Sequence, residues 1–411
     1  MPTTRTDAER LDADDVLAGF RERFTLPPGL IYLDGNSLGP LPTSVAPAVH
    51  DAIHRQWREN LVRSWVDWME LPTRVGDRIG ALLGVGPGQV AVGDSTSVQL
   101  FNTLVGAARL RPGRQVLLTD PRHFPTDRYM ADSAARLLGL RVVEVPAEEA
   151  AEWLARDGRD VAVAAYPVVD YRTGELWDVA GITAAAHEVG AVVLWDVCHA
   201  VGVLPLDLER HDVDMAVGCT YKYLSGGPGS PAFVYVAERH HQALDLPLAG
   251  WLGHATPFAT GGPYVPAAGI GRAVVGTPAI LSLVALDAAL DVYRDVSVEQ
   301  VRAKSLSLTA FFVRCVDELP DEPGFEVVTP RAAERRGSHV SLRHEHAYGM
   351  IRALMPEGVV ADSRPPDLLR FGFHPLYVSH QDVQESVERL RWVTETKQYT
   401  DPRFARTSAF G

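Results

Sequence analysis

The sequence predicts an α/β protein with a mainly parallel sheet covered by helices, followed by a smaller second domain. From about Val90 to Tyr235, short β-rich runs alternate with helix-like stretches. At 411 residues the chain is too long for one compact core, so two domains are expected. From Ser297 a long helical period opens a different pattern, with Val301, Leu306, Leu308, Phe311, Phe312, Cys315 and Val316 on one face.

The elements read in order. Residues 115–119 predict a strand, 128–138 a helix, 141–145 and 161–165 two further strands, and 179–189 a helix stopped by Gly190. In the second domain, 338–343 alternates like a strand and 381–396 reads as a closing helix. The first 46 residues hold little periodicity and several turn formers. The division expected is an N-terminal segment over 1–46 packing with the small domain, a large domain over 47–296 and a small C-terminal domain over 297–411.

Composition sets bounds on function. A formal charge of −13 disfavours nucleic acid or an anionic membrane as partner, so any phosphate needs a focused pocket. Cys198, Cys219 and Cys315 are few, odd in number and without CxxC spacing, which points to neither a disulfide framework nor a zinc site. A polar, acidic N-terminus and the lack of a long apolar run lead to the expectation of a cytoplasmic protein.

The chain has three lysines, Lys222, Lys304 and Lys397. Lys222 follows the apolar lead-in Met215-Ala216-Val217, stands between Tyr221 and Tyr223, and precedes the Gly226-Gly227 turn. Upstream, the apolar run from Ala191 to Trp195 ends in Asp196, with His199 just beyond. Pyridoxal phosphate chemistry needs this layout: a lysine to hold the cofactor aldehyde and a carboxylate to keep the pyridine nitrogen protonated.

Other segments offer matching chemistry, each with a plainer alternative. Asp94-Ser95-Thr96-Ser97 precedes a helical pattern, so its hydroxyls either cap a helix or also hold phosphate at the helix N-terminus. Phe124 and Asp127 offer a ring to stack on a flat cofactor and a carboxylate for its substituents, or simply a helix start. Arg370 lies in an apolar strand, where its partner is either a substrate carboxylate or a buried acid. His339, His344 and His346 do not complete a metal-ligand spacing, and no metal is expected. Asn36, Ser37, Trp65, Trp251 and Thr277 carry no decisive local signal.

Taken together these motifs resemble the kynureninase family. The resemblance runs from Tyr32-Leu33-Asp34-Gly35-Asn36-Ser37 through Phe124-Pro125-Thr126-Asp127, Tyr171-Arg172-Thr173-Gly174, Trp195-Asp196, Tyr221-Lys222-Tyr223, Gly253-His254 and Gly276-Thr277-Pro278 to Arg370-Phe371-Gly372-Phe373. It implies a fold-type I pyridoxal phosphate enzyme with a seven-stranded, mainly parallel sheet and an α+β C-terminal domain. It further implies hydrolysis of L-kynurenine to anthranilate and L-alanine.

The resemblance also implies roles. Lys222 carries the cofactor, Asp196 pairs with the pyridine nitrogen, Phe124 stacks on the ring, and Asp127 and His199 approach it. Thr96, Ser97, Tyr221, Trp251 and Thr277 hold the phosphate, the last two from the partner subunit of a homodimer. Arg370 takes the substrate carboxylate, Asn36 and Ser37 line the substrate pocket, Tyr221 relays protons, and Trp65 favours an unsubstituted ring over 3-hydroxykynurenine. Pro167-Val168, Cys198 and Ala200 depart from the family pattern near the cofactor. The alternatives are a ring-substituted kynurenine as substrate, or a related desulfurase or aminotransferase.

Overall fold

The computed structural model describes residues 4–258, 261–320 and 324–405. Seven strands form the main sheet: β1 Val90–Val92, β2 Val116–Thr119, β3 Arg141–Glu144, β4 Val161–Pro167, β5 Val192–Asp196, β6 Met215–Gly218 and β7 Phe233–Val236. Their spatial order is β1-β7-β6-β5-β4-β2-β3. Strand β7 is antiparallel to both neighbours, and the remaining pairs are parallel.

The sequence dictates this burial. All seven residues of β4 are buried, as expected of a central parallel strand covered on both faces. In β5, Val193 and Trp195 face one apolar cluster while Val192 and Leu194 face the other, the two-residue period of a strand. Helix Thr96–Arg109 covers one face and packs across β4, β5 and β6. Helix Val179–Glu188 lies against β5, and Gly190 behind it takes φ +75, the left-handed geometry that its stop requires. One helix starts earlier than the period suggested, at Pro125 instead of 128, because proline is at home in a first turn.

A four-stranded antiparallel sheet forms the second layer, in the order Glu326–Val327, His339–Arg343, Leu368–Gly372, Asp362–Arg364. Helices Val298–Asp317 and His380–Glu395 pack together beside it, each opened by a capping box, Ser297 with Gln300 and Ser379 with Asp382.

The N-terminal stretch is more ordered than its weak periodicity suggested. Helix Arg5–Ala13 packs on His380–Glu395 although Ala8 is its one buried residue, so periodicity could not reveal it. Asp15 pairs with Lys304 at 2.6 Å. Strand Ile31–Tyr32 pairs with Val359–Val360, and Asp34 bridges to Gly372, which carries residues 34–37 to the end of the Leu368–Gly372 strand.

Candidate active site

The carboxyl ends of the parallel strands converge on one cavity of about 250 Å³, the place where open α/β sheets bind ligands. His123, Phe124 and Asp127 follow β2, Pro167 and Tyr171 end or follow β4, Asp196, Cys198 and His199 end or follow β5, and Tyr221 and Lys222 follow β6. Thr96 and Ser97 enter from the helix after β1, Asn36 and Ser37 from the N-terminal segment, and Arg364 and Arg370 close the cavity from the second sheet. A larger groove of about 640 Å³, beside Trp177 and Arg335, contains none of these groups, so size alone does not locate the site.

Lys222 Nζ lies 3.0 Å from His199 Nε2. Burial, then the charge of Lys222, holds His199 well below the ordinary imidazole range, so the ring is neutral. Lys304 is engaged with Asp15, and Lys397 caps a short helical turn in left-handed geometry. The loop before Lys222 is held tightly: the Gly39 amide donates to the Tyr221 carbonyl at 2.7 Å. A Cβ on Gly39 would lie 2.3 Å from the Lys222 carbonyl, so glycine is required at that close approach.

Two carboxylates face one another across the cavity floor. Donor atoms of His123, Asp127 and Asp196 all fall within 4.8 Å of one another. Asp196 Oδ1 accepts from the Cys198 amide at 2.8 Å, while buried Asp127 Oδ1 has no hydrogen-bond partner. Burial, then the charge of Asp196, pushes the Asp127 carboxyl well above its usual range. The plainer reading of a helix start holds as well, since Asp127 lies in the first turn of the helix Pro125–Leu138, although it makes no side-chain cap. Phe124 is 43% exposed on the cavity wall, edge-on to Tyr171. A protonated pyridine ring fits this set, with an acid for its nitrogen, an orphan carboxyl oxygen and an aromatic face.

Ser95 caps the helix Thr96–Arg109, accepting from the Val98 amide at 3.4 Å. The first-turn N–H groups, the hydroxyls of Thr96 and Ser97 and the helix dipole together suit a phosphate. Tyr221 and Thr96 also line a second groove that contains Thr277. Burial raises the Tyr221 phenol, which therefore keeps its proton at neutral pH.

Arg370, 1% exposed, meets its cross-strand neighbour Asp362: its Nε donates to Asp362 Oδ1 at 2.8 Å and its Nη2 to Oδ2. The buried-acid partner is therefore present, and the guanidinium still lines the cavity. Asn36 is fully buried with neither amide atom partnered, and Ser37 donates to Asp362 at 2.7 Å.

Within one chain, then, the cavity gathers Asn36, Ser37, Thr96, Ser97, Phe124, Asp127, Asp196, His199, Tyr221, Lys222 and Arg370. Trp65, Trp251 and Thr277 are not among its lining residues. Trp65 packs edge-on against Trp68, and Trp251, 38% exposed, leans on Phe258. His339 lies against His199, whereas His344 and His346 pack on Tyr399. Sequence reasoning missed Arg364 and Asp362. Nothing local marks them, because their meaning depends on the strand pairing that sets Asp362 opposite Arg370.

Fold and cavity define a fold-type I pyridoxal phosphate-dependent enzyme. Two solved structures share the fold: a variant of the cystine C–S lyase C-DES with glycine linked to its PLP cofactor (TM-score 0.80, 20% identity, 90% of this chain and 98% of that one). The other is a cysteine desulfurase from Thermococcus onnurineus (TM-score 0.79, 17% identity, 96% and 100%). The chain belongs to the kynureninase family. It is 49% identical to the kynureninase of Deinococcus radiodurans over 94% of this chain and 95% of that one. It is 43% identical to that of Burkholderia pseudomallei over 99% of both, and the kynureninase C-terminal domain model matches residues 301–390.

Proposed function

We propose that the enzyme hydrolyses L-kynurenine to anthranilate and L-alanine, cleaving the Cβ–Cγ bond with pyridoxal phosphate as cofactor. The carrying observation is Lys222 and Asp196 on adjacent strand ends of one cavity, in a chain of this family. Pyridoxal phosphate supplies an electron-accepting ring that spreads carbanionic charge from the bound amino acid. The residues around it do the rest.

Lys222 would hold the cofactor aldehyde, and its amine, when free, would be the base for the substrate's α-proton. Asp196 would keep the pyridine nitrogen protonated, with Asp127 and His199 nearby, and Phe124 would offer its face to the ring. The Thr96 and Ser97 end of the helix would hold the phosphate, and Tyr221, protonated by virtue of its burial, would relay protons to and from the substrate. Arg370 holds the α-carboxylate beside Asn36 and Ser37. Water adds to the γ-carbonyl and anthranilate leaves first.

A homodimer completes the site in this reading. Trp57, Leu61, Val62 and Val66 are 57%, 58%, 73% and 77% exposed, and Phe258 is 77% exposed beside Trp251, an apolar surface of the kind a second copy covers. Trp251 and Thr277 would reach the partner's phosphate, and Trp65 would pack against the substrate ring. The divisions at 46/47 and 296/297 and a cytoplasmic location belong to the proposal. No described helix is long and apolar enough to cross a membrane.

The test is direct: purified, cofactor-loaded protein is mixed with L-kynurenine and assayed for anthranilate fluorescence and alanine in equal amounts. Consumption without both products would refute the hydrolase. Higher kcat/KM for 3-hydroxykynurenine would remove Trp65 as selector of the ring.

A further inference from the structure

Arg370 is too committed to form a carboxylate fork by itself. A guanidinium has five N–H bonds. The Arg370 Nε donates to Asp362 Oδ1 at 2.8 Å, Nη2 donates both to Asp362 Oδ2 and to Ser37 Oγ at 3.0 Å, and Nη1 donates to the Tyr171 carbonyl at 2.7 Å. One N–H, on Nη1, is left. Arg364 lies two residues from Asp362 on the same strand and so on the same face, and it lines the same cavity. Its Nη2 donates to Asp362 Oδ2 at 2.8 Å, and its Nε is buried without a partner.

We propose that Arg364 is a second carboxylate-binding residue, which shares the substrate α-carboxylate with Arg370, and that Asp362 orients both guanidinium groups. The inference rests on the hydrolase reading above. Two guanidinium groups around one carboxylate leave a single positive charge, which one substrate carboxylate neutralises. Asp34 beside them is pushed up to about 7, by burial and then by the charge of Asp362, so below that pH it does not cancel the surplus. Arginine suits the task because it stays charged when buried.

The experiment compares two ligands on the cofactor-loaded enzyme: L-kynurenine and its decarboxylated amine, which keeps the aryl ketone and the amine but lacks the carboxylate. Affinity is read from the change in the cofactor absorption band, separately from turnover. In Arg364→Gln, L-kynurenine should bind about ten- to a hundredfold more weakly, with the amine changed by less than about twofold. Arg364→Lys should fall between. If Arg364→Gln folds poorly, Asp362→Asn should show the same selective loss. Equal weakening of both ligands, or unchanged kynurenine affinity, would overturn the proposal. Wild type that binds kynurenine but releases no anthranilate would instead count against the hydrolase reading alone.

Discussion

Lys222 Nζ stands 3.0 Å from His199 Nε2, and the surroundings of that imidazole decide how the proton is shared. Because burial and the neighbouring ammonium keep His199 neutral, Nε2 accepts and Nδ1, buried without a partner, carries the hydrogen. Lys222 attacks the cofactor aldehyde through its nitrogen, and His199, as a hydrogen-bond acceptor, holds that nitrogen in place. His199→Phe should slow reloading of apo-protein with pyridoxal phosphate by about ten- to a hundredfold, followed by absorbance. An unchanged rate would remove His199 from this step.

Asp214 is a structural anchor behind the site. It is 2% exposed and accepts from the Val193 amide at 2.8 Å, from Arg239 at 2.8 Å and from the rings of His187 and His240 at 2.8 and 2.6 Å. Burial works to raise its carboxyl, but the hydrogen bonds from His187, His240 and Val193 outweigh it and hold the group well below its usual range. A depressed carboxylate stabilises the fold above its unfolded pKa and loses that contribution as pH falls through the folded value. Asp214→Asn should cost about 3–5 kcal/mol near pH 7. Denaturant titrations should show the gap between variant and wild type closing in strong acid.

Asp34 runs the other way. Burial, and then Asp362, raise it to about 7, against the lowering influence of Ser37, Arg370 and Arg364. An acid raised on folding contributes stability that is complete below its unfolded pKa and is lost as pH rises from there through about 7. Asp34→Asn, which cannot ionise, should therefore gain relative to wild type between pH 5 and 8, by on the order of 1–3 kcal/mol. Parallel stability curves would show that Asp34 does not titrate there.

Much of this was legible in the chain. Lys222, Asp196 and the hydroxyl-rich start of the helix at Thr96 each follow an apolar strand, and local pattern marks such positions. Gly190 announced its helix end. Residues 34–37 did not reveal their position, since it depends on pairing with strands more than 300 residues away. Arg370 showed that a buried charge needed a partner but not that the partner was Asp362 on the next strand. Trp65, Trp251 and Thr277 do not line the cavity within one chain, and the phosphate role proposed for Trp251 and Thr277 requires a second chain.

That second chain can be tested by complementation. Lys222→Ala lacks the covalent anchor, and Thr277→Trp should block the contact that Thr277 is proposed to make with the neighbour's phosphate. If sites are shared, mixing the two inactive variants under conditions of subunit exchange should restore activity approaching a quarter of wild type, roughly the fraction of sites made whole by hybrid dimers. Demonstrated exchange with no activity would place each site within one subunit.

The central claim, that Lys222 anchors the cofactor of this kynurenine hydrolase, is tested most directly by trapping the covalent link. The loaded enzyme is reduced with borohydride, digested and analysed by mass spectrometry. The pyridoxyl phosphate mass should be found on the peptide containing Lys222, with Lys304 and Lys397 unmodified, and should vanish together with anthranilate production in Lys222→Ala. Label on another lysine, or kynurenine hydrolysis that survives in Lys222→Ala, would contradict the account.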